Sequence, residues 1–164
     1  QRDPIIKRTW ERKDGIIVKV LFVCTGNTCR SPMAEGIFRK MIEEHGDEER
    51  IYCMSAGLAA AEDAPPTENA VKVCREIGVD ISKHRARKIS DLGNLAAFDV
   101  FAVMTATHAY VLRQAGIPEN RLYVLGEEIP DPFGGDEQTY RVCRDRIRAA
   151  LEKLYGLIQE RSHG

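Results

Sequence analysis

The stretch 16-IIVKVLFVCTGNTCRSP-32 decides the fold. Its first eight residues, Ile16–Val23, are apolar except for Lys19 and rich in β-branched side chains. A run this continuous is the pattern of a strand buried on both faces, which is how strands of a parallel sheet read. Gly26 and Asn27 follow at once, and both residue types tolerate the left-handed backbone that a tight curl demands. Pro32 suits the first turn of a helix, where its missing N–H costs nothing. A helical pattern then continues to about His45.

Downstream, the same alternation recurs. Ile51–Ser55 reads as a second strand, Pro66–Ile77 as a helix closed by Gly78, and Phe98–Met104 as a buried strand. Thr105–Ala115 reads as a helix closed by Gly116, and Arg121–Leu125 as a fourth short strand. The loop DPFGGD at 131–136 precedes a long amphipathic helix from Gln138 to about Gln159. Strands alternating with helices predict an α/β fold. The expected form is a three-layer sandwich, with a central, roughly four-stranded parallel sheet and helices on both faces. Ligands in such folds sit at the carboxyl ends of the strands, where the loop 24–31 lies.

The chain has 164 residues, 43% of them hydrophobic and 30% charged. That length suffices for one domain with a hydrophobic core, and the composition argues against wholesale disorder. A net charge of −1 provides no field that would draw in nucleic acid or a membrane surface, so neither is expected as a partner. No apolar run approaches the length of a membrane span, and no signal peptide is visible. Cys24, Cys29, Cys53, Cys74 and Cys143 are odd in number and include no CxxC pair, which fits neither a disulfide framework nor a structural zinc site. The expected setting is a reducing cytoplasm. Residues 1–15 stand apart: five basic and three acidic side chains surround Ile5, Ile6 and Trp10. They read as a loosely held extension, with residues 16–164 as the domain. The chain begins with Gln, not Met, in keeping with a truncated longer protein or a cloning remnant.

The loop Cys24–Ser31 carries the chemistry. A cysteine and an arginine six positions apart, between a buried strand and a helix N-terminus, make an oxyanion cradle. Backbone N–H groups of Thr25, Gly26, Asn27, Thr28 and Cys29 can converge on a tetrahedral anion, and the helix dipole adds positive potential. Arg30 adds a planar fork that can hold two oxygens. The helix N-terminus and the guanidinium are both expected to lower the pKa of Cys24 and make it a thiolate nucleophile. A nucleotide-binding loop of Walker type is excluded, because no GK[ST] follows the glycine.

VLFVCTGNTCRSPMAE at 20–35, SAG at 55–57 and DPFGG at 131–135 resemble the low-molecular-weight protein tyrosine phosphatase family. The resemblance extends from about Ile16 to Gln159. The TGNTCRSPMAE form, together with DPFGG, is similar to the family's bacterial protein arginine phosphatase branch. Most tyrosine phosphatases of the family carry an aliphatic residue where this chain has Thr28. The resemblance implies Cys24 as nucleophile, Arg30 as the phosphate-binding arginine and Asp131 as general acid. It implies Asn27 in a strained left-handed conformation, with Ser31, Ser55 and His84 bonding that asparagine or the thiolate. The stretch around His84, KHRARK, departs from any motif. Asp131 also stands on its own chemistry, since a phosphoryl group leaving nitrogen or a phenol needs a proton delivered to the leaving atom. Glu127, Glu128 and Asp136 are rival acids nearby.

The reading is a cytoplasmic, monomeric phosphatase of phosphorylated proteins that needs no metal or cofactor and releases inorganic phosphate. Phosphoarginine is the expected substrate, with Thr28 and Phe133 as specificity residues, opposing a protein-arginine kinase. The nearest rival is a tyrosine phosphatase. An arsenate reductase shares the fold but needs a further cysteine pair to relay a disulfide, and Cys74 and Cys143 form no such motif. A redox or anion sensor using Cys24 and Cys29 is a rival of another class. As a redox pair inside an enzyme, Cys29 is expected to resolve oxidised Cys24 as a disulfide. Lys83, Arg85, Arg87 and Lys88 make a basic stretch, and Cys53, Cys74 and Cys143 read as packed thiols.

Overall fold

The computed structural model describes residues 18–163, with side chains through 160. Residues 1–15 and the first two positions expected of the opening strand lie outside the described residues. Four parallel strands form one sheet in the order β2-β1-β3-β4: β1 Val18–Cys24, β2 Ile51–Gly57, β3 Val100–Val103 and β4 Leu122–Val124. Val20 to Val23 are fully buried, as a central strand covered on both faces requires.

The helices are α1 Arg30–Glu44, α2 Glu68–Arg75, α3 Ala106–Gln114 and α4 Glu137–His163. The strand order runs outward from β1 in one direction and from β3 in the other. Right-handed crossovers then place α1 and α3 on opposite faces of the sheet. α1 packs on β1 and β2, and α3 on β3 and β4. α4 packs on α1 and α2. Phe22 and Phe38 meet edge to face at 5.3 Å between β1 and α1, and Phe38 touches Tyr155 of α4 at 5.5 Å.

The sequence expectation is too long at α2. Pro65 and Pro66 keep the backbone extended through Thr67 (φ −63°, ψ 148°), so the helix starts at Glu68. Its end tightens into i→i+3 bonds, with the N–H of Ile77 on Cys74 and that of Gly78 on Arg75. Arg121 belongs to a 3₁₀ turn, 119–121, and not to β4. The point where the strand order reverses, between β1 and β3, is where a doubly wound sheet opens a crevice at its carboxyl edge. The loop from Cys24 to Cys29 leaves β1 at that edge.

Candidate active site

A cavity of about 200 Å³ is lined by the six residues Cys24–Cys29 together with Arg30, Asp131 and Phe133. Sequence separation between the loop and Asp131 is large, and the sheet's carboxyl edge brings them together. Asn27 is the pivot. It is fully buried, with φ +58°. Its Nδ2 donates to Ser31 Oγ at 2.8 Å and to Ser55 Oγ at 3.0 Å. Its Oδ1 accepts the N–H of Arg87 at 3.0 Å, and its carbonyl accepts from Nε2 of His84 at 2.8 Å. Every side-chain contact that holds this left-handed residue is therefore satisfied, which offsets the strain. Gly57 completes the fit: a Cβ there would lie 2.6 Å from the Thr25 carbonyl and 3.1 Å from Asn27 Cβ.

The bonds have a direction. Ser31 Oγ accepts from Asn27, so its own hydrogen is free for Cys24 Sγ, 2.8 Å away. The amide of Asn27 donates to the same sulfur at 3.3 Å. On the other branch, Ser55 accepts from Asn27 and donates to Glu35 Oε1 at 2.5 Å, and Glu35 is held by Arg39 at 2.6 Å. Donors thus point at the sulfur, and they would stabilise a thiolate.

The expectation of a lowered Cys24 pKa needs correction. Burial pushes this thiol up from its ordinary value. The Ser31 hydroxyl, the amides of Ser31 and Asn27 and the Arg30 charge oppose that rise without overcoming it. Helix-terminus and guanidinium arguments omit desolvation, and Cys24 is only 2% exposed.

Arg30 is buried. Its Nη1 donates to the carbonyl of Ile129 at 2.9 Å, and its Nη2 lies 3.8 Å from Asp131 Oδ2. Asp131 is half exposed, and its Oδ1 accepts the N–H of Phe133 at 3.0 Å. Phe133 stands 71% exposed on the cavity wall. Two of the three rival acids are engaged elsewhere: Glu128 accepts from the Ala106 amide at 3.0 Å, and Asp136 accepts from the Thr139 amide at 2.9 Å.

Cys29 Sγ contacts Tyr140 Oη at 3.3 Å and Thr67 Oγ1 at 3.5 Å. Thr28 is half-buried and its carbonyl accepts the Thr67 N–H at 2.9 Å. Ser55 and His84 lie behind the loop and do not line the cavity. Sequence reasoning missed Glu35, Thr67, His108 and Tyr140. Of these, only Glu35 carried a signal, as the last residue of the PMAE stretch. Among the described residues no group of three or more His, Cys, Asp or Glu gathers to hold a metal, and no helix is long and apolar enough to cross a membrane.

The family profile described as low molecular weight phosphotyrosine protein phosphatase matches residues 19–163. The chain belongs to that family. This low molecular weight phosphatase is similar to a protein-arginine-phosphatase of Bacillus subtilis, at 31% identity over 143 residues, 82% of this chain and 93% of that one. It is 37% identical to arsenate reductase 1 of Staphylococcus epidermidis over 138 residues, 81% of this chain and 92% of that protein. Its fold matches the crystal structure of a low molecular weight protein tyrosine phosphatase from T. tengcongensis with a TM-score of 0.77 and 34% identity, covering 85% of this chain and 98% of that one. The phosphatase is thus an enzyme of the cysteine-dependent type, with phosphorylated proteins as substrate class and phosphate as product.

Proposed function

We propose that the enzyme hydrolyses phosphoarginine in proteins, with Cys24, Arg30 and Asp131 as its catalytic residues. The Cys24 thiolate attacks phosphorus in line. An S–P bond forms, the P–N bond breaks, and the electron pair stays on the guanidine nitrogen, which takes a proton from Asp131. Arg30 and the loop amides hold the three equatorial oxygens. Asp131 then removes a proton from water as its oxygen attacks phosphorus, and the S–P bond breaks to release phosphate and the thiolate. The cradle supplies the positive charge, so no metal takes part in this scheme.

One observation carries the arginine reading. Thr28 lines the cavity, and among the described residues its hydroxyl has only a 3.9 Å contact, to Cys29 Sγ. A hydroxyl so placed can accept from a guanidine N–H, where an aliphatic side chain would leave that donor bare. An unpaired buried donor costs about 1–3 kcal/mol, or roughly 5- to 150-fold. The experiment is kcat/KM on matched phosphoarginine and phosphotyrosine peptides. Phosphoarginine is expected to lead in the parent, and Thr28→Ile to reverse or erase that lead. A parent that prefers phosphotyrosine refutes the reading, and equal losses on both peptides make Thr28 a support for the loop.

The alternative, a tyrosine phosphatase, is favoured by Phe133, whose exposed ring on the cavity wall could stack on a substrate ring. An arsenate reductase relay gains no support from the remaining thiols. Cys53, Cys74 and Cys143 are buried, and burial pushes each up to about 12. The proposal places the enzyme in the cytoplasm as a monomer opposing a protein-arginine kinase. It keeps Cys29 as a resolving thiol. Peroxide oxidises Cys24 to a sulfenic acid, Cys29 attacks that sulfur, and water leaves as the disulfide forms.

A further inference from the structure

The residue after the nucleophile makes a contact that the catalytic scheme above does not use. Thr25 is exposed on the cavity wall, and its carbonyl is fixed by the N–H of Ala59 at 2.9 Å. Its Oγ1 lies 2.9 Å from Nε2 of His108. His108 is 5% exposed, in the first turn of α3, where its amide donates to the capping Thr105 hydroxyl at 3.2 Å. Its Nδ1 is buried and has no partner among the described residues.

The charges of Arg30, Asp131 and Glu128 act on this imidazole. Burial, then the Arg30 charge, push its pKa down to about 4 against the pull of Asp131 and Glu128. The ring is neutral above that value and carries one N–H. On Nδ1, that hydrogen would be a stranded buried donor, and orphaned N–H groups are rare in protein interiors. On Nε2, it meets Thr25 Oγ1. The threonine oxygen then accepts, and its own hydrogen has no acceptor among the described residues.

We propose that His108 is a positioning residue that turns the Thr25 hydroxyl into a donor for an oxygen of the bound phosphoryl group. This side-chain contact adds to the loop amides and Arg30. It rests on the reading of the loop as a phosphate cradle.

The test is titration calorimetry of inorganic phosphate into the full chain, run beside kcat/KM on p-nitrophenyl phosphate. Thr25→Val keeps the shape and removes the hydroxyl. A hydrogen bond to a charged group sets the scale, so phosphate binding should weaken by about 10-fold or more. Thr25→Ser should restore it. His108→Leu should weaken binding comparably in the parent and have little effect in the Thr25→Val background, because the two act through one contact. His108→Gln, which can present an N–H near the place of Nε2, should recover part of the loss.

Parent-like phosphate binding by Thr25→Val would overturn the proposal. So would an equal cost of His108→Leu in both backgrounds, the mark of a purely structural role. A parent that neither binds phosphate nor releases it from the aryl ester fails the cradle reading itself. A parent that does both, with Thr25→Val unchanged, fails the His108 proposal alone.

Discussion

The loop from Cys24 to Arg30 and the loop from Gly126 to Asp136 meet at one cavity and are held in opposite ways. The first is buried at its core, and Asn27 alone gathers partners from α1, β2 and the 84–87 segment. The second is tied mainly at its root. The Ile129 N–H bonds the Met104 carbonyl at 2.7 Å, and Glu128, at φ +138°, is pinned to the N-terminus of α3. Beyond the root most residues are exposed, with Asp131 half exposed and Phe133 largely so on either side of the buried Pro132. Charge stabilisation requires dipoles fixed before the reaction, whereas proton delivery requires access to substrate and water. The proposed division of labour follows from how each loop is anchored.

The sharpest way to break this comparison is to remove the reacting atom from the rigid side. Cys24→Ser should abolish turnover while still binding phosphate, and residual activity within tenfold of the parent would contradict the assignment. On the open side, Asp131→Asn should lower kcat/KM by about 10²–10⁴-fold on a phosphoarginine peptide. The loss should be much smaller on p-nitrophenyl phosphate, whose leaving group needs no proton. Equal losses on both would mean that Asp131 mainly orients Arg30.

Rigidity itself can be titrated by substitution. Asn27→Gly keeps the left-handed backbone but strands Ser31, Ser55 and the Arg87 amide. It should cost about 1–3 kcal/mol in urea unfolding. Asn27→Ala adds backbone strain and should cost more. Phe133→Ala should leave the unfolding midpoint unchanged.

A smaller effect comes from acidity. Burial lowers the pKa of both His108, to about 4, and His84. The unfolded chain's histidines titrate near 6.5, so it binds the extra protons first as pH falls. Their contribution to stability is therefore complete above about 6.5 and declines towards about 4. Urea midpoints at pH 7.5 and 5 should show that decline, and His108→Gln should flatten part of it. For the proposed redox pair, mass spectrometry after mild peroxide should find a Cys24–Cys29 bridge. Equal overoxidation of Cys24 in the parent and in Cys29→Ser would remove the protective role.

What was legible in the sequence tracks what is local. The opening strand, the loop and the start of α1 are contiguous, and their apolar run and turn residues read directly. The start of α2 falls later than the apolar pattern suggests, because such a pattern does not reveal how far Pro65 and Pro66 hold the chain extended. His84 could not be secured from KHRARK, because its partner is a backbone carbonyl 57 residues away. His108 gave no signal at all, since its bond to Thr25 spans 83 residues. The Cys24 pKa was misjudged for a related reason: charges can be read from a motif, but desolvation depends on everything packed around it.

The central claim is that the phosphoryl group passes through Cys24 inside the rigid loop. Acid-quenching a reaction with a phosphoarginine peptide, then mapping the adduct by mass spectrometry, tests it most directly. Phosphate should be found on Cys24, and it should accumulate further in Asp131→Asn if that residue also activates the hydrolytic water. Steady turnover with no adduct on Cys24, or an adduct on Cys29 in its place, would contradict the account.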